Sequence, residues 1–596
     1  MSKNCRQQNA APSGGLARTA ALLGGFALFS RLLGLARDMG MAWLLGGGAA
    51  ADALVAAMRL PHVLRRLLGE GSLSMTLTAS LVRLRLGGGR VPNGAGGPDG
   101  PYGPYGSDGP TGEKNTAMGL LARALSLRLG LVLVLFTLVG LAAAPWLAKA
   151  LAPGFSGAEL ERTVFLLRLC LPYVLAAGMA ALGMALLHSM GIFWLPALSP
   201  ALFNMVMLLA AGAAALGFFP PAPALAAGML CGGIAQWLAQ WLAVRRLLPG
   251  SFMKAPQSPP EHALGQVHAL GTGAENTRAV NRAAWRCLRL LPGGVLGAAA
   301  PQLAMLAAMA LASGLGQGQV AALYYAERLL ELPLGLVGVC LGMASLPALS
   351  RLAAEGDFSR FGQHLSTALR LTLMLSLPAA AGLAALGPQL VEGLLGHGAF
   401  DRQASLETGL ALLAYVPGLP AFACNRSLLA ACNALGLVRH TAMSALWTVG
   451  GTLVAGLALT RMLGPEYSVL APALAVSCGL WLQCVLLLRL LGKTLPEDGV
   501  CLSAGRKGFW PGLPLWLPAP PVVGRHVLAG GLTGLAANAL LRLCAPWGVW
   551  PSLLAGIAGG VAVWALVLLI LRDPDMLLLA GRLRKKPRGP IVDGSA

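Results

Sequence analysis

Eight arginines stand in stretches of this chain that are otherwise fit for lipid. The segment "FSRLLGLARD" (29–38) places Arg31, Arg37 and Asp38 inside the run 19–47, which is mostly Ala, Leu, Gly and Met. Arg59, Arg65, Arg66 and Glu70 fall in the next apolar run, 53–82, and Arg168 in 163–187. Glu327, Arg328 and Glu331 lie in 322–349, and Arg426 in 404–432. An unpaired arginine at mid-bilayer costs at least about 2.5–3.5 kcal/mol, so eight of them require water and partners. Arg31 lies about 18 Å along a helix that starts near residue 19, too deep to reach the interface easily. Helical periodicity puts Arg31 and Asp38 on one face and Arg59 and Arg66 on another, with Glu70 one turn beyond Arg66. Arg37 points away from Asp38 and needs a different partner. Arg328 and Glu331 can pair at i, i+3. Against four acids, eight guanidiniums leave a surplus of about four positive charges. Such a surplus suits an anionic ligand, above all a phosphate, which guanidinium donors grip bidentately.

These residues must be held by helices that cross a membrane. The 596 residues are 56% hydrophobic and 11% charged, against about 25% charged residues in soluble domains. Apolar runs near twenty residues recur along the whole chain, which predicts an all-α polytopic membrane protein. Fourteen spans are expected, near 19–47, 53–82, 118–147, 163–187, 196–217, 223–244, 290–312, 322–349, 366–394, 404–432, 440–460, 468–488, 526–544 and 550–571. The second is interrupted by Pro61.

The net charge of +21 is a topology signal. With the N-terminus cytoplasmic, 28 of the 44 Lys and Arg residues fall in inside segments and five in outside loops, with eleven left within or at the ends of spans. That bias is the positive-inside rule, and it places both termini in the cytoplasm. It also removes the usual reason to read a basic chain as a nucleic-acid binder. Three of the eleven, Arg123, Arg128 and Arg370, sit near cytoplasmic helix ends, where their side chains can snorkel.

An internal echo divides the chain. "ALVAAMRL" (53–60) and "ALYYAERL" (322–329) share A-L-x-x-A-x-R-L, and "SLVRL" (80–84) resembles "ALSRL" (348–352) at nearly the same offset. Spans 1–6 and 7–12 thus read as two related halves, with the substrate site expected between them near the bilayer midplane. The expected organisation is a tail 1–18, a first bundle 19–245, a basic loop 246–289, a second bundle 290–492, a linker 493–525, two extra spans over 526–572, and a basic tail 573–596. A Gly/Pro-rich insertion at 87–115 interrupts the first bundle and reads as a disordered cytoplasmic loop.

Competing chemistry is not visible. The sequence has no G-x-S-x-G, P-loop or H-E-x-x-H motif, and its eleven cysteines form no CxxC pair. No catalytic residue, resident metal or cofactor is expected; an ion gradient or the membrane potential is the expected source of energy.

The block "FSRLLGLARDMGMAWLLGGGAAADALVAAMRLPHVLRRLLGEGSLS" (29–74) resembles the opening of the MurJ/MviN-type lipid II flippases. Further matches include "LAPGF" (151–155), "LPALSPALFN" (195–204), "YYAERLLELPLGLVGVCLGMASLPALS" (324–350) and "GHGAF" (396–400). The resemblance implies the multidrug/oligosaccharidyl-lipid/polysaccharide exporter fold: two six-helix bundles plus two C-terminal helices. It implies transport of lipid II, the undecaprenyl-diphosphate-linked disaccharide-pentapeptide, across the bacterial cytoplasmic membrane, within the bilayer and beside the cell-wall synthesis machinery. It further implies that Arg31, Arg37, Arg65, Arg66 and Arg328 hold the diphosphate. Ser30, Asp38, Asp52, Arg59, Glu70, Glu327, Glu331 and Arg426 would then support the cavity and its gate. Two departures bear on this. The text after span 10, "ACNALGLVRHTAMS", lacks the family's usual aromatic step. Spans 7 and 11 carry no acid, so the sodium site of some members is not expected. Another exporter of the same fold, for O-antigen lipids or for drugs, is the alternative reading.

Overall fold

A computed structural model describes residues 13–69, 111–247, 291–464, 467–495 and 517–577. Glu70 and most of the expected loops 87–115, 246–289 and 493–525 lie outside the described residues. Seventeen α-helices and no strand are present among the described residues. The first half holds α1 (Ser13–Leu45), α2 (Ala49–Gly69), α3 (Thr111–Ala142), α4 (Ala144–Leu151), α5 (Gly157–Cys170), α6 (Tyr173–Ser189), α7 (Trp194–Ala215) and α8 (Pro221–Leu247). The second holds α9 (Leu291–Ala312), α10 (Gln319–Glu355), α11 (Phe358–Leu395), α12 (Arg402–Tyr415), α13 (Leu419–Ala434), α14 (Val438–Met462) and α15 (Leu470–Thr494). The chain closes with α16 (Pro520–Cys544) and α17 (Val549–Ile570).

Within the described residues each expected span falls on one helix or on a pair, residues 70–82 of the second span lying outside them. Span 4 is divided into α5 and α6 just before Pro172, and span 10 into α12 and α13 by a 3₁₀ turn at Val416–Gly418 that contains Pro417. Proline has no N–H to continue the ladder, and the two breaks occupy equivalent places in the two halves. Pro61, by contrast, is accommodated inside α2 without ending it. Helix α3 begins at Thr111, within the stretch expected to be a loop, because a nucleated helix propagates past the end of its apolar segment. The residues after α17 are not all tail either: Asp573 and Asp575 are buried, and Asp573 accepts from the backbone N–H groups of Asp575 and Met576 to start a further turn.

Ten described helical segments are long and apolar enough to cross a membrane. Four expected spans fall outside that group: α1, α2, α9 and α10. Three of them, α1, α2 and α10, are those whose apolar faces are interrupted by the arginines and acids. Length and hydropathy therefore do not by themselves yield fourteen crossings.

The packing of the two halves repeats. α1 lies on α7 as α9 lies on α14; α7 lies on α8 as α14 lies on α15; α6 lies on α8 as α13 lies on α15. The halves meet where α2 packs on α10 and α9. Ala51, Ala53, Ala56 and Ala57 of α2 and Ala321, Ala322 and Ala326 of α10 are all buried; small side chains let membrane helices approach closely. α16 and α17 pack on each other and on α11. Large apolar side chains such as Leu131, Leu209, Trp447, Val454, Leu535 and Leu554 face outward, a surface suited to acyl chains rather than water.

Candidate substrate cavity

The repeat of α2 and α10 places their charged faces opposite one another, and α1 leans against the same space. Between them lies a cavity of about 350 Å³. Seven arginines line it: Arg31 and Arg37 from α1, Arg59, Arg65 and Arg66 from α2, Arg328 from α10 and Arg426 from α13. Asp38 and Glu331 also line it, and Glu327 is paired with Arg59 behind the wall. Seven guanidiniums against three carboxylates leave the surplus of about four that the sequence predicts. Arg168 is not part of this set; it is exposed on α5, away from the cavity.

One wall is a hydrogen-bonded block on α1. Arg37 donates through Nε and Nη2 to Asp38 Oδ1 at 3.1 and 2.8 Å, and through Nη1 to Asn204 Oδ1 at 3.0 Å. Asn204 in turn donates to the Ser30 carbonyl at 2.9 Å, and the Tyr324 hydroxyl donates to Asp38 at 3.0 Å. This corrects the expectation that Arg37 needs a partner other than Asp38. Adjacent helical residues do not face each other, but the long arginine stem folds back across the helix, and Asn204 fixes it there. Three of the five N–H donors of Arg37 are thereby engaged, which leaves it more buttress than grip.

The opposite wall is the α2–α10 seam. Arg59 Nη1 lies 2.5 Å from Glu327 Oε2, and Arg66 Nη2 lies 2.5 Å from Glu331 Oε1. Arg328 reaches Glu331 at 2.8 Å, as the i, i+3 spacing requires, and Glu327 at 3.4 Å. Its guanidinium also sits 5.0 Å from the Tyr324 ring centroid. Two acids thus serve three arginines from both halves.

Arg31 is exposed in the cavity and has no carboxylate partner among the described residues. Its guanidinium tip lies against the backbone of Gly335, where any side chain would occupy the same space. Arg65 and Arg426 complete the lining, the latter 5.5 Å from the Phe422 ring centroid.

Asp52 does not belong to the cavity. It is fully buried at the start of α2, where its carboxylate accepts from the Gly318 and Ala321 N–H groups at 2.5 and 2.7 Å. Gly318 is the N-cap of α10, left-handed at φ 87° and lacking a side chain to cap its own helix; a residue of the other half does it instead. Around this point Gly154 N–H donates to Ser313 Oγ at 2.9 Å, and Ala399 N–H to the Trp43 carbonyl at 2.9 Å. All four loops in this seal are ones the charge distribution puts outside.

Sequence reasoning missed the polar side chains that α7 to α9 contribute, Asn204, Gln236 and Gln302, and His62 of α2. Asn204 was legible in principle, as a lone amide inside an apolar span.

Two related helical halves around a cationic central cavity are the architecture of a membrane transporter with room for an anionic group. The chain belongs to the lipid II flippase MurJ family: the model described as "Lipid II flippase MurJ" matches residues 41–507. It is 29% identical over 406 residues to the lipid II flippase MurJ of Burkholderia cenocepacia, covering 68% of this chain and 70% of that one. It is 31% identical over 423 residues to a probable lipid II flippase MurJ of Bdellovibrio bacteriovorus, covering 69% and 70%. Its fold matches a solved lipid II flippase MurJ in an inward closed conformation, with a TM-score of 0.64 over 93% of this chain and 99% of that one, at 19% identity.

Proposed function

We propose that this chain carries lipid II from the inner to the outer leaflet of the bacterial cytoplasmic membrane by alternating access. The observation that carries the reading is the guanidinium surplus at the interface of the two halves, where a diphosphate would balance positive charge that three carboxylates do not. Arg31, Arg65, Arg66 and Arg328 are the grip; Arg37, held by Asp38 and Asn204, shapes it. The undecaprenyl tail stays in the bilayer. The distribution of Lys and Arg supports cytoplasmic termini, which makes the Asp52 seal the outer gate.

Complementation in cells depleted of their own flippase tests this. Arg31→Ala combined with Arg328→Ala is expected to abolish rescue with normal membrane levels of the protein. Full rescue by that double variant overturns the diphosphate grip. Flipping of labelled lipid II, compared with an undecaprenyl-linked O-antigen unit in the same proteoliposomes, tests the cargo.

A further inference from the structure

The geometry points to a divalent transition-metal site, of the kind that takes Zn²⁺, formed by His526, Asp573 and Asp575 where the C-terminal helix pair meets α11. It lies outside the arginine cavity and departs from the expectation that the chain holds no metal. One donor atom from each of the three residues falls within 4.8 Å of the others. All three residues are at most 2% exposed.

The hydrogen bonding of the cluster is incomplete in one direction. Asp573 Oδ1 is engaged by the backbone N–H groups of Asp575 and Met576, at 3.0 and 3.2 Å. Asp575 Oδ1 accepts from Arg370 Nη2 at 3.1 Å. Each carboxylate therefore has one oxygen hydrogen-bonded by the protein, while Asp573 Oδ2 and Asp575 Oδ2 make no well-formed hydrogen bond and have only ionic neighbours, His526 Nε2 at 3.3 Å and Arg370 Nε at 3.0 Å. Neither ring nitrogen of His526 makes a well-formed hydrogen bond. Buried polar atoms are nearly always satisfied, and three atoms that converge here, one from each residue, without a well-formed hydrogen bond call for a ligand. With the imidazole neutral, two carboxylates and one guanidinium also leave a net negative charge among buried groups, which suits a cation.

The donor set and spacing select among cations. His526 Nε2 lies 3.3 Å from Asp573 Oδ2. Donors bound tetrahedrally at about 2.0–2.1 Å are separated by about 3.3–3.4 Å. An imidazole with two carboxylates suits zinc and its neighbours; Ca²⁺ takes six to eight oxygens, which this cluster lacks. Arg370, 3.0 Å from Asp575 Oδ2 through Nε, holds the carboxylate in place as an outer partner of the ligands does. Three protein donors leave a fourth position for water. The metal would join α16 to the turn after α17, and Arg370 would extend the connection to α11, fastening the extra helices to the second bundle.

The test is metal binding, independent of transport. The full chain is purified in detergent without a polyhistidine tag, stripped with chelator, and equilibrated with Zn²⁺ before elemental analysis. The wild type and a His188→Ala control are expected to retain one equivalent, and His526→Ala and Asp575→Asn none. Arg370→Gln is expected to weaken binding by about 10–100-fold. Co²⁺ soaked into the wild type should give the visible bands of a tetrahedral site, displaced by Zn²⁺. A folded His526→Ala that binds as the wild type does overturns the site. Should neither ligand variant fold, absence of the Co²⁺ bands in the wild type overturns it as well.

Discussion

Arg59 is buried with only one of its nitrogens on a carboxylate; its Nε and Nη2 have no hydrogen-bond partner. Removing that carboxylate isolates a charge that the fold has already desolvated. Glu327→Gln is therefore expected to destabilise the protein by about 3–5 kcal/mol, read as a lower thermal midpoint in detergent. Glu331→Gln, whose side chain is 30% exposed, should cost much less. A second expectation concerns Gly335, which leaves the room that the Arg31 guanidinium fills. Gly335→Val should abolish rescue in flippase-depleted cells while leaving the thermal midpoint near that of the wild type. Equal loss from Gly335→Ala and Gly335→Val would fit as well, since any Cβ meets the same guanidinium; undiminished rescue by Gly335→Val would show that Arg31 does not need that place. At this scale the sequence revealed which residues are charged and deep, because charge in an apolar run is conspicuous. It did not reveal who pairs with whom. Glu327 meets Arg59 across 268 positions, and Arg37 is fixed by an amide on α7; only tertiary packing brings such partners together.

The helix ends carry a second kind of information. α10 starts on a glycine that cannot cap it, and Asp52 of the other half provides the missing acceptor. Any motion that parts α2 from α10 at this end must break that cap, so Asp52 favours the closed arrangement by about 0.5–2 kcal/mol, and under the proposed topology that end is the outer gate. Asp52→Ala is expected to raise the open population by about 2–30-fold from that loss alone. With the other cysteines replaced, a Ser313→Cys thiol, buried in the seal, should react faster with a membrane-impermeant reagent added outside when Asp52→Ala is also present. Unchanged labelling would show that the cap does not latch the gate. Periodicity made the helices themselves legible, since twenty apolar residues admit few other structures, and even the doubling of the fold showed in the echo at 53–60 and 322–329. The interruptions were not legible from pattern alone: Pro61 lies within a continuous helix while Pro172 and Pro417 accompany breaks. The buried pair Asp573 and Asp575 was hidden for a different reason. It adjoins a basic tail, and its partner His526 is nearly fifty residues away.

Considered as a whole, the molecule is a cationic cavity that must present itself to both sides of an energised membrane. Empty, it carries a surplus of about four positive charges; loaded with a diphosphate it carries about two fewer. A potential negative inside favours return of the empty carrier to the inward-facing state, and each charge that crosses the full field contributes about 2.3 kcal/mol per 100 mV. The carrier's own charges cancel over a complete cycle, so the net work comes from the cargo. Two negative phosphates delivered outward gain roughly 4–5 kcal/mol per 100 mV if they traverse the whole field. We propose that the membrane potential drives the cycle without a bound coupling ion. In proteoliposomes with the cytoplasmic face inside, a potassium diffusion potential negative inside is expected to accelerate outward flipping of lipid II, and the opposite potential to slow it, with no sodium or proton gradient imposed. Neutralising Arg31 and Arg328 together should abolish the transport rather than alter its voltage response, because the grip is lost before the field can act. A rate indifferent to potential, and raised only by an ion gradient, would assign the energy to a coupled ion and not to the charge of the cargo.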